Sequence, residues 1–365
     1  MLARGKTPNL FTLGKTRDVV TSGNTGDVLA SGSTDPLASG NTDPLASGRA
    51  LDSGGTDLLA VGETMVVVTP TTPAPLSETP TYVLRPGGAE SNVAIHLARL
   101  GHRTAWFSAV GDDPFGQIIV EHLASAGVDT SRVLTVPGAP TGIYFKHVAD
   151  GHSRMYYYRA GSAASTLGPW AAPRIAAVPA RIIHFTGITP ALSEGCAELT
   201  RELMTKRTTE SLVSFDVNFR PRLWSPTDAA PVLRELASCA DVVFVGLDEA
   251  RDLWGAAEPS EVRRILPEPG TVVVKDAAIG ATEFGAGTDE SWYEPTPAST
   301  VVELIGAGDA FAAGWLSGLL RGFNSARRLA LGHRVAAEVL HTTADDVVFP
   351  HDLLAGLIAG PGGSA

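Results

Sequence analysis

Apolar positions in this chain recur with two periods, and stretches of the two kinds alternate. Short continuous apolar runs stand at residues 58–61, 104–110, 181–185, 211–217, 242–246 and 271–275. Runs of this length read as buried strands. Between them the apolar residues fall at helical spacing. Residues 91–100 place Val93, Ala94, Leu97 and Leu100 on one face, and Gly101 stops the helix. Residues 114–126 turn Phe115, Ile118, Ile119 and Leu123 inward, and Gly127 ends that helix. Glycine just past the last apolar position is a stop signal because it accepts positive φ. A further buried helix begins near Gly308, with Phe311, Trp315, Leu319 and Leu320 on its apolar positions. Strand–helix alternation of this kind predicts βαβ units and a mostly parallel sheet, the α/β class. Such sheets take ligands beyond the carboxyl ends of their strands.

Two segments break the alternation, 65–85 and 141–159. The second carries Tyr144, Phe145, His147, Met155, Tyr156, Tyr157 and Tyr158 around the turn Ala149-Asp150-Gly151. Alternating aromatics about an Asp-Gly turn are a hairpin signature. The two segments (about 65–86 and 139–160) are expected to form a small antiparallel β lid projecting from the main domain. Its exposed apolar face would suit a second copy of the chain, giving a homodimer or higher homo-oligomer. Residues 1–57 differ from the rest. An octad-like repeat runs through 31–38 and 39–46, with a degenerate copy at 53–60, rich in Ser, Gly, Thr, Asp and Pro. Such a composition buries too little apolar area to offset chain entropy, so a disordered tail is expected. A short cation-binding repeat is the alternative, although the GGxGxD pattern of a calcium β-roll is missing. The domain boundaries follow: a tail at 1–57, one folded domain at 58–355 and a C-terminal tail at 356–365.

Composition narrows the function classes. Hydrophobic residues at 44% and charged residues at 18% describe a globular chain with a sizeable core. The net charge of −11 argues against a nucleic-acid surface. Two cysteines far apart, Cys196 and Cys239, offer neither a disulfide framework nor a CxxC metal pair. No uncharged apolar run reaches the ~20 residues of a membrane span. The basic N-terminus lacks the apolar core of a signal peptide. A cytoplasmic protein with a small-molecule ligand is expected.

The stretch with most chemistry in it is Gly306-Ala307-Gly308-Asp309, at the start of the buried helix. Backbone N–H groups there have no partner within the helix, and with the helix dipole they suit an anionic phosphate. A carboxylate at that mouth can take the proton of a hydroxyl as it attacks phosphorus. Taken alone, the stretch is equally a Gly-rich helix start with Asp as an N-terminal charge. The chain has no GxxxxGK[ST] and no GxGxxG, so a phosphate reader must be of another kind. Arg85-Pro86-Gly87-Gly88-Ala89-Glu90-Ser91-Asn92 also precedes a helix. Its glycine pair lets a polar ligand approach the backbone, and Asn92 could hydrogen-bond a hydroxyl.

These residues carry a resemblance. Gly87-Gly88-Ala89-Glu90-Ser91-Asn92, followed by Gly101, Gly111-Asp112-Asp113 and Gly116, resembles the first signature of the ribokinase-like (PfkB) sugar kinases. Residues 305–314, Ile-Gly-Ala-Gly-Asp-Ala-Phe-Ala-Ala-Gly, are similar to the second, in the same order along the chain. The family implies a three-layer α/β/α domain with a β lid, ATP and Mg2+ as cofactors, and Asp309 as general base. Gly306, Ala307 and Gly308 would form the anion hole with it. Several stretches look most like the branch acting on 2-keto-3-deoxygluconate, among them Gly62-Glu63-Thr64-Met65 and the run from Asp216 to Trp224. By resemblance, Gly87, Gly88, Asn92, Tyr144, Tyr157, Arg159 and Arg220 line the sugar-acid site. An arginine suits a carboxylate because it binds bidentately. A tyrosine ring packs on carbons while its hydroxyl bonds oxygen. The nucleotide would meet Lys275, Gly280, Gly306, Gly308 and His333. Fructokinases and ribokinases share much of this pattern and remain alternatives, as does a non-catalytic sugar-acid sensor.

Three departures stand out. Relatives usually read Asp-Thr/Pro-Thr/Val where this chain has Glu303-Leu304-Ile305, which leaves a monovalent-cation requirement open. The family's Asn-x-x-Glu, which organises magnesium through water, keeps only Glu249 in Gly246-Leu247-Asp248-Glu249. Its Gly-x-x-Gly nucleotide loop reads Ala277-Ala278-Ile279-Gly280.

Overall fold

The computed structural model describes residues 55–71, 77–78, 81–149, 152–206, 210–286, 290–297, 306–341, 347, 349 and 355. Of the expected tail at 1–57, residues 1–54 lie outside them, while Thr56 and Asp57 already belong to the strand Thr56–Val61; the expected tail at 356–365, the expected turn residues 150–151 and Glu303-Leu304-Ile305 also lie outside them. Within them a nine-stranded sheet runs in the order Ser291–Pro295, Gly280–Gly285, Thr271–Asp276, Val242–Gly246, Leu212–Asp216, Ala180–Thr186, Thr56–Val61, Thr104–Phe107, Val128–Asp129. Pairing is parallel from Thr271–Asp276 to Val128–Asp129, and antiparallel for the two strands beyond Thr271–Asp276.

The continuous apolar runs reflect burial on both sheet faces. Successive side chains of a strand point to opposite sides, so a strand covered twice needs no polar alternation. Leu59, Val61, Val243, Val245, Val272 and Val274 pack on one face with Leu199, Leu233, Ala250 and Val262 from the helices Glu194–Thr205, Pro226–Ser238, Leu247–Trp254 and Pro259–Ile265. Leu58, Ala60, Val242, Phe244 and Val273 pack on the other with Val93, Ile119, Phe311, Trp315 and Leu329. Those residues come from the helices Ala89–Arg99, Pro114–Ser125, Ala307–Leu320 and Ser325–Leu340. The layers are therefore α/β/α.

Helix limits match the stop signals. Gly101 and Gly127 adopt φ of 87° and 89°, and Asp113 caps Pro114–Ser125 by accepting from the Gly116 N–H at 2.8 Å. One expected strand is divided. Residues 104–110 break at Ser108: Thr104–Phe107 stays in the large sheet, and Ala109–Gly111 pairs with Leu134–Val136. The Ser108 carbonyl accepts from the Leu134 N–H at 3.0 Å, which starts that second ladder.

The lid is a four-stranded sheet in the order Tyr82–Gly87, Met65–Pro70, Ile143–Ala149, His152–Tyr158. Its two outer pairings are antiparallel, as the sequence suggests, and they join through a parallel pairing of Val66–Val68 with residues 143–145. Hairpin register cannot produce that central contact, because the two segments are far apart in sequence. Tyr82, Val83, Leu84, Tyr156, Tyr157 and Tyr158 are exposed on this sheet. Among the described residues no helix is long and apolar enough to cross a membrane.

Candidate active site

Asp309 is the third residue of the helix Ala307–Leu320. Gly306 caps that helix at φ 80°, in the left-handed region a side chain resists. Helix geometry leaves the N–H groups of Ala307, Gly308 and Asp309 without intrahelical acceptors; the first bond is from the Ala310 N–H to the Gly306 carbonyl at 2.9 Å. The Asp309 carboxylate is 9% exposed. Its Oδ2 accepts from Asn92 Nδ2 at 2.9 Å and its Oδ1 from Asn218 Nδ2 at 3.5 Å. Burial, reinforced by the Asp216 charge, raises its pKa to about 6, against the pull of Asn92, Arg220 and Lys275. A carboxyl tuned there is ionised at neutral pH yet basic enough to accept a proton.

A cation stands beside it. Lys275, at the end of Thr271–Asp276, donates from Nζ to Asp216 Oδ2 at 2.7 Å. Burial works against its charge, but the Asp216 and Glu249 carboxylates outweigh that and hold its pKa above the ordinary value. The Lys275 ammonium lies 3.6 Å from where a Cβ on Gly308 would sit, so it faces the helix start directly. Arg220 is half exposed and lies 3.8 Å from Glu249 Oε1. Glu249 Oε2 accepts from the Gly246 N–H at 2.9 Å. Burial, then Asp216, pushes the Glu249 pKa up to about 7.

The remaining expected residues form two further groups. Gly88 precedes the helix Ala89–Arg99; a Cβ there would come 2.5 Å from the Glu63 carbonyl oxygen, so the close approach excludes a side chain. Gly87 ends its strand opposite Met65. Tyr144 is buried and its ring lies 5.2 Å from that of Tyr157, its cross-strand partner. Arg159 is ion-paired with the buried Glu63, which also accepts from the Ser162 hydroxyl. Arg159 is thus already matched to a protein carboxylate, while its Nε has no hydrogen-bond partner among the described residues. The third group is at the sheet edge. His333 is 6% exposed, donates from Nε2 to the Glu294 carbonyl at 3.1 Å and packs its ring 5.0 Å from Phe311. Glu294 pairs with Ala281, next to Gly280. Ala277 takes φ 40°, a conformation costing an alanine about 1 kcal/mol.

The sequence reading missed Asp216 and Asn218 as members of the site, and Glu63 as the Arg159 partner. Position was the available signal: Asp216 and Lys275 both close parallel strands at the carboxyl ends, where such sheets bind ligands. It also missed Glu90. That carboxyl is fully buried, and its Oε1 accepts from the hydroxyls of Thr186 and Thr189 at 2.7 and 2.9 Å. Burial raises its pKa to about 7 from 4.5. Between those values the folded state keeps a proton the unfolded state has lost, so stability falls as pH rises through that window. Glu90→Gln removes the slope. Its melting temperature relative to the unmodified chain should increase between pH 5 and pH 8, by the equivalent of roughly 3 kcal/mol. Parallel pH-dependence in both proteins would show that Glu90 ionises normally.

Residues 55–350 match the model of the pfkB family carbohydrate kinases. The chain is 37% identical to the 2-dehydro-3-deoxygluconokinase of Bacillus subtilis over 79% of its own length and 91% of that protein. It shares 25% identity and a TM-score of 0.75 with the crystal structure of 2-dehydro-3-deoxygluconokinase from Thermotoga maritima, covering 84% of this chain and 99% of that one. Fructokinase with bound ATP from Xylella fastidiosa is similar at 26% identity and TM-score 0.71, over 83% of this chain and 98% of that one. With Gly306–Asp309 and Gly87–Asn92 brought together through the Asn92–Asp309 bond, the chain belongs to the pfkB family of carbohydrate kinases and is an ATP-dependent sugar kinase.

Proposed function

We propose that this kinase transfers the terminal phosphoryl group of ATP to the terminal hydroxyl of 2-keto-3-deoxygluconate. The observation that carries the chemistry is the buried Asp309 carboxylate at a helix N-terminus, with the Lys275 ammonium facing Gly308. The relatives' substrate supports the choice of sugar acid. The hydroxyl gives its proton to Asp309 while its oxygen bonds to phosphorus, and the bond from phosphorus to the bridging oxygen breaks to release ADP. The N–H groups of Ala307, Gly308 and Asp309 meet the charge on the transferring group. Lys275, beside Gly308, adds its positive charge there. Tyr144 and Tyr157 offer ring faces to the sugar, with Gly87, Gly88 and Asn92 at its other end. Gly280 and His333 border the nucleotide.

Among the described residues no three His, Cys, Asp or Glu side chains cluster to hold a metal. Glu249 is turned to Gly246 and Arg220. The site therefore suits magnesium carried on the ATP phosphates, an ion that keeps several of its waters. Lid closure would exclude water during transfer, and the exposed lid aromatics would pair two copies.

Arg220 is the arginine assigned to the substrate carboxylate, because it is half exposed and only loosely paired with Glu249 at 3.8 Å, whereas Arg159 is largely buried in close contact with Glu63. Arg220→Met should raise KM for the sugar acid about 10- to 100-fold at pH 8, the loss of one charge-assisted pair. KM for fructose should stay level. The Arg159–Glu63 pair favours a second reading, a neutral sugar as substrate. Equal KM changes for both sugars would support it.

A further inference from the structure

We propose that Asp216 and Asn218 are positioning residues that fix the Lys275 ammonium and the Asp309 carboxylate at a set spacing for phosphoryl transfer. This rests on reading Asp309 as the base and Lys275 as the cation for the transferred group. Asp216 divides its carboxylate between the Lys275 ammonium and the Asn218 backbone. Oδ2 accepts from Lys275 Nζ at 2.7 Å, and Oδ1 accepts from the backbone N–H of Asn218 at 3.1 Å. Asn218 in turn extends Nδ2 to Asp309 Oδ1 at 3.5 Å. It takes φ 41°, a left-handed conformation that asparagine tolerates better than most residues. One turn thus links the cation to the base.

The link is anchored from both sides. The Asp216 carbonyl accepts from the Gly187 N–H at 2.9 Å, and the Val217 N–H donates to the Phe244 carbonyl at 2.9 Å. Register places Asp216 opposite Phe244, Phe244 opposite Val273 and Gly246 opposite Lys275. Asp216 and Lys275 therefore share the sheet face that carries the helix of Asp309, and the strand between them presents glycine at the level of Lys275. A lysine on four rotatable bonds would otherwise sample many positions. Asp216 is 2% exposed, so its side of the contact is shielded from water.

Asp309 is also faced by Asn92 and Glu90 from the helix Ala89–Arg99 and by Arg220. Against that fixed background, changing either end of the pair should move Asp309 in opposite directions. Asp216→Asn removes a negative neighbour and lowers its titration midpoint; Lys275→Met removes a positive one and raises it, each by about one pH unit. The midpoint is read by 13C NMR of carboxyl-labelled aspartate in the free protein, with Asp309 assigned by its loss in Asp309→Asn. That readout needs no substrate, so it stands apart from the choice of sugar, which fails separately if the unmodified chain turns over no sugar acid. In turnover, Asp216→Asn should lower kcat about 10- to 100-fold while KM for the sugar changes little, as for a small misplacement of reacting groups. The acid limb of its pH profile should move down with the midpoint. Unmoved midpoints, shifts of the same sign in both variants, or an unchanged kcat in a folded Asp216→Asn would overturn the proposal. If Asp216→Asn does not fold, Lys275→Met carries the test through its midpoint, which must rise.

Discussion

Asp309→Asn should reduce kcat by about 1000-fold, within the range a positioned base contributes. The change is nearly isosteric and leaves the helix start and its N–H groups in place. Asparagine can occupy the space between Asn92 and Asn218, but it cannot accept a proton. The unmodified enzyme should carry the matching pH signature. Asp309 works only when ionised, and burial raises its pKa to about 6. Activity should therefore rise with pH through about 6 and level above it, a limb the variant lacks. Misfolding predicts a different result. A carboxyl whose pKa is raised from 3.8 on folding disfavours the folded state increasingly as pH rises through that window, and in full above it. Asp309→Asn removes this cost, so at pH 8 it should melt at or above the unmodified chain. A low melting temperature together with low activity would point to lost structure instead of a lost base.

Arg328→Met should cost about 3–5 kcal/mol of stability, the usual penalty for breaking one side of a buried ion pair. Arg328, on Ser325–Leu340, is paired with Glu283 of the strand Gly280–Gly285, and both are almost fully buried. Glu283 also accepts from Trp315 Nε1 at 2.8 Å, and the guanidinium lies 4.9 Å from the Trp315 ring. Three elements meet there: the strand next to the sheet edge, the helix of Asp309 and the helix behind it. With Arg328 gone, Glu283 keeps one hydrogen bond and a buried charge without a cation. Thermal melting should fall by about 10 °C. Replacing Glu283 by Leu and Arg328 by Met together should recover part of the loss, because no charge is then stranded. A single variant within 2 °C or so of the unmodified chain would mean that water reaches the pair.

Much of the fold was legible because burial on both sheet faces leaves a direct mark: apolar runs of strand length separated by helical periodicity. The glycine stops at 101 and 127 were legible for an equally local reason, positive φ. The break at Ser108 was not, since it depends on where Leu134 returns, and the parallel pairing inside the lid depends on segments far apart in sequence. In the site, Gly306–Asp309 declared itself by helix-start chemistry and Asn92 by the glycines before it. Asp216, Asn218 and Glu63 did not, because their significance is their partners. An Asp after an apolar strand is ordinary until Lys275 reaches it across another strand. Arg159 shows the converse: a cation suited to a substrate carboxylate turned out to be matched to Glu63.

The most direct test is ADP release with ATP and magnesium, measured across 2-keto-3-deoxygluconate, its galactonate epimer, fructose and ribose, with Asp309→Asn as control. Turnover of the keto-deoxy acids well above the neutral sugars, lost in the variant, is the predicted result. Preferred turnover of fructose or ribose, or sugar-acid turnover that survives in Asp309→Asn, would contradict it.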